Sequence, residues 1–238
     1  MSRNIQLFPV IVPDEAGLLI TSPRRYNVLT AALLGGRHRR LVAELTTASG
    51  AGKGSRVIDI GSGPGKLAAA LAVAVGPGGA VLGIDPSGPM VEYATARTRG
   101  PNVRFEVGTA QSIPVGDSEF DVLTCTFVMH HVAAEARDRA LAEMYRVLRP
   151  GGTLLLADAH PDGPMRAVVG LMGRFSRRGS RGDRADAEAP RDPFAEVDVR
   201  RYADSLVAAG FEQPVFRVSR YATGILTARK PGPIHSNA

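Results

Sequence analysis

A glycine-rich stretch after a short apolar run carries the residues best suited to binding a ligand. The run Val57–Ile60 is apolar apart from Asp59, and Gly61, Gly63 and Gly65 follow at alternate positions. Glycines let the backbone turn sharply at the carboxyl end of a strand, where a side chain would block an approaching ligand. The Asp59 carboxylate can hold that turn and face a cation or an amine. The pattern therefore predicts a strand, a loop and a helix that together receive a small polar molecule.

Three histidines follow later apolar runs and are candidates for proton transfer. His130 and His131 come after the segment Phe120–Thr126, and His160 comes after the segment Thr153–Ala157. Histidine has an ordinary pKa near ~6.5, so it can accept a proton from a phenol or a carbon acid at neutral pH. His131 is the first candidate for a general base, before His130 and His160. The alternative interpretation is that the paired histidines cap the next helix or pack beneath the ligand.

Strands and helices alternate through the middle of the chain. The predicted helices are Lys66–Val75, Ser87–Arg99 with Ser87 as N-cap, Glu135–Val147 and Val199–Ala209. The predicted strands are Arg56–Ile60, Ala80–Ile84, Val103–Val107, Phe120–Thr126, Thr153–Ala157, Pro214–Ser219 and Gly224–Ala228. This alternation indicates an α/β fold, a doubly wound and mostly parallel seven-stranded sheet. Ligands bind at the carboxyl ends of such strands, and the glycine loop and the histidine pair both lie there.

The sequence divides into two parts around the glycine loop. Residues 1–55 are predicted to form a helical lid of two helices, joined near Gly35-Gly36, and a linker into the core. Residues 56–238 are predicted to form the main domain. Within it, residues from about 160 to 198 interrupt the alternation of strands and helices, and we interpret them as an insertion that caps the substrate. The last two strands are expected to pair as a hairpin at the sheet edge. Residues from Lys230 onward are expected to form a frayed tail.

Composition limits the class of protein and its surroundings. The 238 residues are 44% hydrophobic, no apolar run is long enough to span a membrane, and the N-terminus lacks the pattern of a signal peptide. The single cysteine, Cys125, excludes an internal disulfide and is typical of the cytoplasm. The net charge of +6 raises nucleic acid as a partner. Since nearly all of the basic residues are arginines, we interpret this charge as compositional first.

Three features in this order resemble one enzyme family. They are the glycine loop with Asp59, the acid Asp85 after the second core strand, and Leu148-Arg149-Pro150-Gly151-Gly152 before the fifth. Together they are similar to the motifs of class I S-adenosylmethionine-dependent methyltransferases. The likeness is greatest to the broad bacterial small-molecule group that includes the ubiquinone/menaquinone C-methyltransferases, and it covers roughly residues 57–158. The resemblance implies a Rossmann-like methyltransferase fold with S-adenosyl-L-methionine as the cofactor.

The resemblance also implies a role for each residue around the loop. The loop would lie against the methionine part of the cofactor, Thr126 would face the ammonium group through its carbonyl, and Asp85 would accept hydrogen bonds from the ribose hydroxyls. An acid that often follows the third strand in this family is replaced here by Thr109 and Ala110, which would reach the adenine. The implied cofactor-binding residues are Asp59, Gly61, Gly63, Gly65, Asp85, Pro86, Ser87, Met90, Thr109, Ala110 and Thr126.

The methyl acceptor is expected between the lid and the insertion. Tyr26 from the lid and Met165 and Met172 from the insertion are the predicted substrate residues, although each also fits a role in packing. An apolar lining favours a lipophilic, aromatic or quinone-like small molecule. Methyl transfer from a sulfonium is an in-line displacement. No metal site is expected, because the acids that hold magnesium in catechol-type enzymes are missing after the fourth strand.

Three other functions share part of this pattern. A dinucleotide-binding dehydrogenase would carry Gly-x-Gly-x-x-Gly, and the Asp59 carboxylate would repel a pyrophosphate. A nucleic-acid methyltransferase, for example one acting on RNA, suits the positive charge but lacks the base-gripping motif of amino-base enzymes after Thr126. A non-catalytic methyltransferase-like binding protein would keep the loop and Asp85 without turnover. Methyl transfer to a small molecule fits these residues best, and the RNA enzyme and the non-catalytic protein stay as alternatives.

Overall fold

The N-terminal region forms a hairpin followed by two helices. The structure, a computed structural model, describes residues 11–14, 17–33, 36–160 and 196–233. The first elements are β1 (Ile11–Asp14), β2 (Gly17–Ile20), α1 (Pro23–Leu33) and α2 (His38–Ala48). Two helices are present here, as the sequence predicts, and the first begins at Pro23. The antiparallel pairing of β1 with β2 was not predicted from the sequence.

A sheet of seven strands forms the centre of the molecule and confirms the predicted fold class. The strand order is β5-β4-β3-β6-β7-β9-β8, and every strand runs parallel to the others except β9. The strands are β3 (Arg56–Ile60), β4 (Ala80–Asp85), β5 (Val103–Val107), β6 (Phe120–Thr126), β7 (Leu148–Ala159), β8 (Val215–Ser219) and β9 (Thr223–Arg229). The order along the chain reverses between β3 and β6, so the loops after these two strands open a crevice at the carboxyl edge.

Helices cover both faces of this sheet. They are α3 (Lys66–Val75), α4 (Gly88–Arg97), α5 (Arg137–Val147) and α6 (Ala203–Ala208). Leu41 and Leu45 of α2 are buried against Leu71 and Val75 of α3, in one of two apolar clusters. Asn27 Nδ2 donates to Tyr93 Oη over 3.3 Å and so joins α1 to α4. These contacts hold the N-terminal helices beside the carboxyl edge of the sheet.

Several boundaries differ from the sequence prediction. The segment Leu148–Gly152, expected to lie between the helix and the fifth core strand, belongs to β7, because Leu148 pairs with Phe120 of β6 ahead of a shift in register. The predicted helix Glu135–Val147 begins with a 3-10 turn, Ala134–Ala136, and the predicted helix Val199–Ala209 begins with another, Val199–Tyr202. No helix in the described part of the chain is long and apolar enough to cross a bilayer.

The expected frayed tail is wrong at its first residue. Lys230 is only 9% exposed, and its Nζ donates to the carbonyls of Tyr145 over 2.9 Å and of Leu148 over 2.7 Å. Its ammonium also lies 4.3 Å from the centre of the Tyr145 ring. These carbonyls belong to the end of α5 and the start of β7, where a cation satisfies acceptors that the helix leaves free. Lys230 therefore anchors the C-terminal segment to the core.

Candidate functional site

The loop after β3 has a conformation that glycine adopts most easily. Gly61, Gly63 and Gly65 have φ angles of 66°, 52° and 79°, in the left-handed region that is costly for other residues. A Cβ on Gly61 would overlap the side chain of Val128, and one on Gly65 would lie 2.8 Å from the ring of Phe105. A Cβ on Gly63 would meet nothing within 4 Å. Gly61 and Gly65 thus allow close packing, whereas Gly63 keeps the space above the loop open.

Asp85 joins the glycine loop to the start of α4. Its Oδ2 accepts a hydrogen bond from the Gly63 amide over 2.8 Å, and its Oδ1 accepts one from the Ser87 amide over 2.9 Å. Burial raises the pKa of Asp85, and the two amide donors oppose that rise. Ser87 occupies the predicted N-cap position, but its hydroxyl makes no capping bond and is buried without a partner among the described residues. A polar atom in that state is available to a ligand.

Asp59 is a fully buried acid at the end of β3. Its Oδ1 accepts a hydrogen bond from the Thr124 hydroxyl over 2.7 Å. Burial raises the pKa of Asp59 to about 7, and the nearby charge of Asp85 adds to the rise. A cationic ligand would stabilise the ionised form of this carboxyl, because an opposite charge nearby favours ionisation.

Eight of the predicted site residues line one cavity between the loop and α4, which we call the α4 cavity. Burial, with the negative charges of Asp85 and Asp158, raises the pKa of Tyr26 to about 12, so its hydroxyl stays protonated at neutral pH. The α4 cavity is lined by Ile20, Tyr26, Gly61, Gly63, Asp85, Pro86, Met90, Thr126, Phe127, Val128 and His131. Its walls are thus largely apolar, with a carboxylate and a few other polar groups.

A second cavity adjoins the first and lies between the loop and α2; we call it the α2 cavity. It shares Tyr26, Thr126 and part of the glycine loop with the α4 cavity. Asp59 lines the α2 cavity together with two basic side chains, His38 and Lys66. The two cavities together therefore contain two carboxyl groups, of Asp59 and Asp85, and the ammonium group of Lys66.

The paired histidines have different surroundings. His130 Nδ1 lies 2.6 Å from Oδ2 of Asp158, whose side chain is 3% exposed. His131 lines the α4 cavity, and its Nδ1 is buried with no hydrogen-bond partner in the described part of the chain. Burial and the neighbouring His130 lower the pKa of His131 to about 4. His131 is therefore neutral at pH 7 and poorly matched to proton abstraction, which works best when the pKa lies near the working pH.

The remaining predicted site residues lie elsewhere. The His160 ring packs edge-on against Phe216 with centroids 5.5 Å apart, and neither cavity includes it in its lining. Thr109 forms an isolated bridge with Ser112, and Ala110 is buried in the core cluster. These two positions follow β5 without lining either cavity, so their roles stay predictions. Met165 and Met172 lie outside the described residues.

Two residues of this site were missed by reasoning from sequence. Phe127 has a φ of 59°, donates its amide to the Ala157 carbonyl over 2.7 Å and lines both cavities. A bulky residue in the left-handed region stores strain, which is common at functional sites. Asp158 directly follows the predicted strand Thr153–Ala157 and is not among the predicted site residues. Asp158 follows the strand next to the one that precedes His130 and His131, and neighbouring parallel strands end at the same edge of the sheet. That position was the available indication that Asp158 lies near the histidine pair.

Comparison with known proteins identifies the family. Residues 57–152 match the family described as Methyltransferase domain. The chain is 32% identical over 206 residues to the ubiquinone/menaquinone biosynthesis C-methyltransferase UbiE of Ectopseudomonas mendocina, a match that covers 81% of this chain and 78% of that protein. The chain belongs to the class I S-adenosylmethionine-dependent methyltransferases. The predicted family and cofactor are thereby confirmed.

Two further comparisons support less about this protein, because one covers a small part of the relative and the other has low sequence identity. The methyltransferase is 44% identical over 106 residues to an uncharacterized 37.1 kDa protein in transposon TN4556 of Streptomyces fradiae, but the match spans only 30% of that protein's length. A S-adenosylmethionine-dependent methyltransferase from Aquifex aeolicus superposes with a TM-score of 0.63 at 20% identity, covering 87% of this chain and 98% of that one. At that identity the superposition supports the fold alone.

The residues around the α4 cavity fit S-adenosylmethionine. The open space over Gly63 and the buried, unpartnered atoms of Ser87 and His131 leave room and hydrogen-bonding capacity for a polar ligand. The carboxyls of Asp59 and Asp85 suit a ligand with positive charge and hydroxyl groups. Within the described residues, no group of three or more histidine, cysteine or acidic side chains could hold a metal ion.

Proposed function

We propose that this methyltransferase transfers the methyl group of S-adenosylmethionine to a small apolar acceptor with an aromatic or quinone-like ring. The observation that carries the proposal is the lining of the α4 cavity, to which Ile20, Tyr26, Phe127 and Val128 contribute apolar or aromatic side chains. The relative from E. mendocina is named for the biosynthesis of ubiquinone and menaquinone. Both points favour a lipophilic ring over a charged metabolite.

The cofactor is assigned to the cleft by the chemistry of the residues around it. Asp85 would accept hydrogen bonds from the ribose hydroxyls with the lone pairs left over by its two amide donors. Pro86 and Met90, which line the α4 cavity, would flank the adenine. Asp59 and the Thr126 carbonyl would face the ammonium group. When bound, the cofactor supplies an electrophilic methyl group.

The cleft favours methyl transfer mainly by positioning. Holding two reactants in line can contribute ~7–11 kcal/mol to lowering the barrier in favourable cases. Positive charge disperses as a methyl group leaves a sulfonium, so apolar walls such as Val128 and Phe127 do not oppose the reaction. The protonated hydroxyl of Tyr26 can orient an acceptor oxygen by donating a hydrogen bond.

His130 is the side chain we assign to proton removal, where the acceptor must lose a proton. Asp158 accepts a hydrogen bond from Nδ1 of His130, which fixes the tautomer and leaves Nε2 as the proton acceptor. His130 is not part of the lining of either cavity, but the centroid of its ring lies 4.0 Å from that of His131, which lines the α4 cavity. This assignment reverses the order suggested by the sequence, in which His131 came first.

An activity screen with a defined acceptor panel tests the proposal. The purified protein is incubated with S-adenosylmethionine and with short-chain benzoquinols, naphthoquinols and simple phenols, and methylated products are detected by mass spectrometry. Charged amines, carboxylic acids and bulk RNA form the comparison set. We expect products from the ring compounds only. Methylation confined to charged metabolites or to RNA would contradict the proposal.

A pair of matched variants tests whether the reaction takes place in the cleft. Asp85→Ala removes the proposed ribose acceptor and should abolish turnover. Glu92→Ala removes an exposed carboxylate from α4, the helix that follows Asp85, and should retain full activity. Equal activity in both variants would place the reaction outside the cleft.

A further inference from the structure

The positive charge of the chain is concentrated in one short segment. Residues 16–43 contain five of the chain's 29 lysines and arginines and none of its 23 acidic residues, so they carry most of the net charge of +6. A purely compositional excess of arginine would be spread along the chain and mixed with acids. The location of the charge therefore points to a function of this segment, since a basic patch is the usual mark of an anionic partner.

The five arginines lie on the N-terminal helices and have no acidic partners. Arg24 and Arg25 belong to α1, Arg37 is the N-cap residue of α2, and Arg39 and Arg40 lie in its first turn. Among the described residues, none of these five guanidinium groups has a hydrogen-bond or ion-pair partner. Several arginines of the main domain do pair with acids, as in Arg56–Glu119, Arg137–Glu196, Arg146–Asp117 and Arg149–Asp121.

The basic side chains project from the outer sides of the two helices. With 3.6 residues per turn, Arg24 and Val28 share the stripe of α1 that lies opposite Tyr26, the residue that lines both cavities. Arg39 and Arg40 are exposed on α2, whereas the leucines of that helix are buried and line the α2 cavity. Each helix thus has an inner side at the cleft and a basic outer side.

The two outer sides belong to the same side of the molecule. Helix α1 is joined to α4 by the hydrogen bond from Asn27 to Tyr93, and α2 packs against α3. Right-handed crossovers place α3 and α4 on one face of the sheet. Glu44, the next acid along the chain, accepts hydrogen bonds from Arg217 and Ser219, each over 2.6 Å, and so does not neutralise the segment. We call Arg24, Val28, Arg37, Arg39 and Arg40 the N-terminal basic surface.

The composition of this surface favours a lipid partner over a nucleic acid. Surfaces that bind single-stranded nucleic acid combine basic groups with aromatic side chains that stack on bases. Tyr26 is the only phenylalanine, tyrosine or tryptophan in residues 16–43, and it lines the cleft. The surface instead exposes an apolar side chain beside its arginines, since Val28 is 69% exposed. Arginines together with an exposed apolar residue are typical of helices that lie on a bilayer.

We propose that the N-terminal basic surface docks the protein on an anionic phospholipid bilayer, which brings the cleft close to the membrane in which a lipophilic acceptor dissolves. The role of the bilayer as the source of the acceptor rests on the proposed function, whereas the docking itself rests on the charge and position of the arginines. Each arginine near such a surface should strengthen binding roughly fivefold. Salt should weaken the docking, because it screens exposed charges.

Sedimentation with phospholipid vesicles tests the docking. Vesicles of phosphatidylcholine are compared with vesicles that also contain ~30% phosphatidylglycerol, and we expect binding only to the anionic ones. Binding should be lost as the ionic strength rises to ~0.5 M. The triple variant Arg37→Gln, Arg39→Gln and Arg40→Gln should bind these vesicles ~100-fold more weakly. It should bind S-adenosylhomocysteine like the wild type, which would show that it is folded.

A second triple variant controls for the loss of net charge. Lys53→Gln, Arg97→Gln and Arg99→Gln remove the same charge from exposed positions near the amino ends of the strands, and vesicle binding should change by less than about twofold. Absence of binding, equal binding to both vesicle types, or equal losses in the two triple variants would overturn the docking surface.

Bulk RNA serves as the competing partner in the same assay. Tighter binding to RNA than to anionic vesicles, lost in the Arg37, Arg39 and Arg40 variant, would assign the surface to nucleic acid and overturn the proposal. Sedimentation requires no turnover. A failed acceptor screen would therefore contradict the proposed function, while the vesicle results alone decide the docking surface.

Discussion

Alanine substitutions at Gly61 and Gly63 distinguish two effects of a side chain on the loop, which are backbone strain and overpacking. Both residues have positive φ angles, 66° and 52°, so alanine at either position is strained. Only at Gly61 does the new Cβ also overlap a neighbour, the side chain of Val128, and it would lie 3.0 Å from the Cγ1 atom. Gly61→Ala therefore combines backbone strain with overpacking, and Gly63→Ala has the strain alone.

The expected magnitudes follow from these contacts. The left-handed conformation costs an L-residue about 1–2 kcal/mol, and overpacking costs about 1–3 kcal/mol more. Gly63→Ala should lower the free energy of unfolding by about 1–2 kcal/mol, and Gly61→Ala by about 2–5 kcal/mol. Adding Val128→Ala makes room for the new methyl group. The double variant should then show a favourable coupling of about 1–3 kcal/mol between positions 61 and 128.

Urea unfolding measures these differences. The chain contains no tryptophan, so far-ultraviolet circular dichroism is the suitable signal. Equal stability of the two single variants, or a coupling energy near zero, would refute the assigned packing of the loop against Val128. The loss of ligand affinity need not follow the loss of stability. Gly63→Ala places a methyl group in open space that both cavities share, and should weaken S-adenosylhomocysteine binding although its stability changes least.

Three further predictions concern charge and proton transfer. The pKa of Asp59 rises from 3.8 to about 7 on folding, so the folded state holds the extra proton and stability should fall as the pH rises from about 4 to 7. Asp59→Asn should flatten that part of the curve. Lys230→Ala leaves two carbonyls without their donor and should cost about 1.5–3 kcal/mol in urea unfolding, whereas Lys53→Ala on the surface should cost almost nothing. For an acceptor that must lose a proton, His130→Gln and Asp158→Asn should each lower kcat at neutral pH by ~10²-fold or more, and the double variant should be no slower than the slower single one.

Each of these predictions has a result that contradicts it. An unchanged slope between pH 4 and 7 in Asp59→Asn would assign that pH dependence to other groups. Equal stability of Lys230→Ala and Lys53→Ala would mean that the C-terminal segment is not anchored. Additive losses of kcat in the histidine and aspartate variants would mean that His130 and Asp158 do not act as a unit.

The alternating core was predictable because local patterns specify it. The strands Arg56–Ile60, Ala80–Ile84 and Thr153–Ala157 are largely apolar runs next to a glycine or an acid, and the structure places a strand at each of them. The glycine loop was predictable for the same reason, since spacing alone indicates a turn that ends a strand. The carboxyl edge of a parallel sheet then brought Asp85, Thr126 and His131 to one cavity.

Other features depend on contacts between distant segments and left no local pattern. The pairing of His130 with Asp158 joins residues that follow two neighbouring strands, and its only indication in the sequence was that both strands end at the same edge of the sheet. Lys230 was assigned to a tail because its segment is short and polar, although its two acceptors lie more than eighty positions earlier. Phe127 adopts a positive φ that its side chain disfavours, so propensity argues against the conformation that the site requires.

Calorimetric titration with S-adenosylhomocysteine tests the central claim most directly. The wild type should bind one equivalent, and Asp85→Ala should reduce the affinity at least ~10-fold, because a charged acceptor for hydroxyl groups is lost. Glu92→Ala should match the wild type. Absence of binding by the wild type, or equal affinity in Asp85→Ala, would contradict the assignment of the cofactor to this cleft.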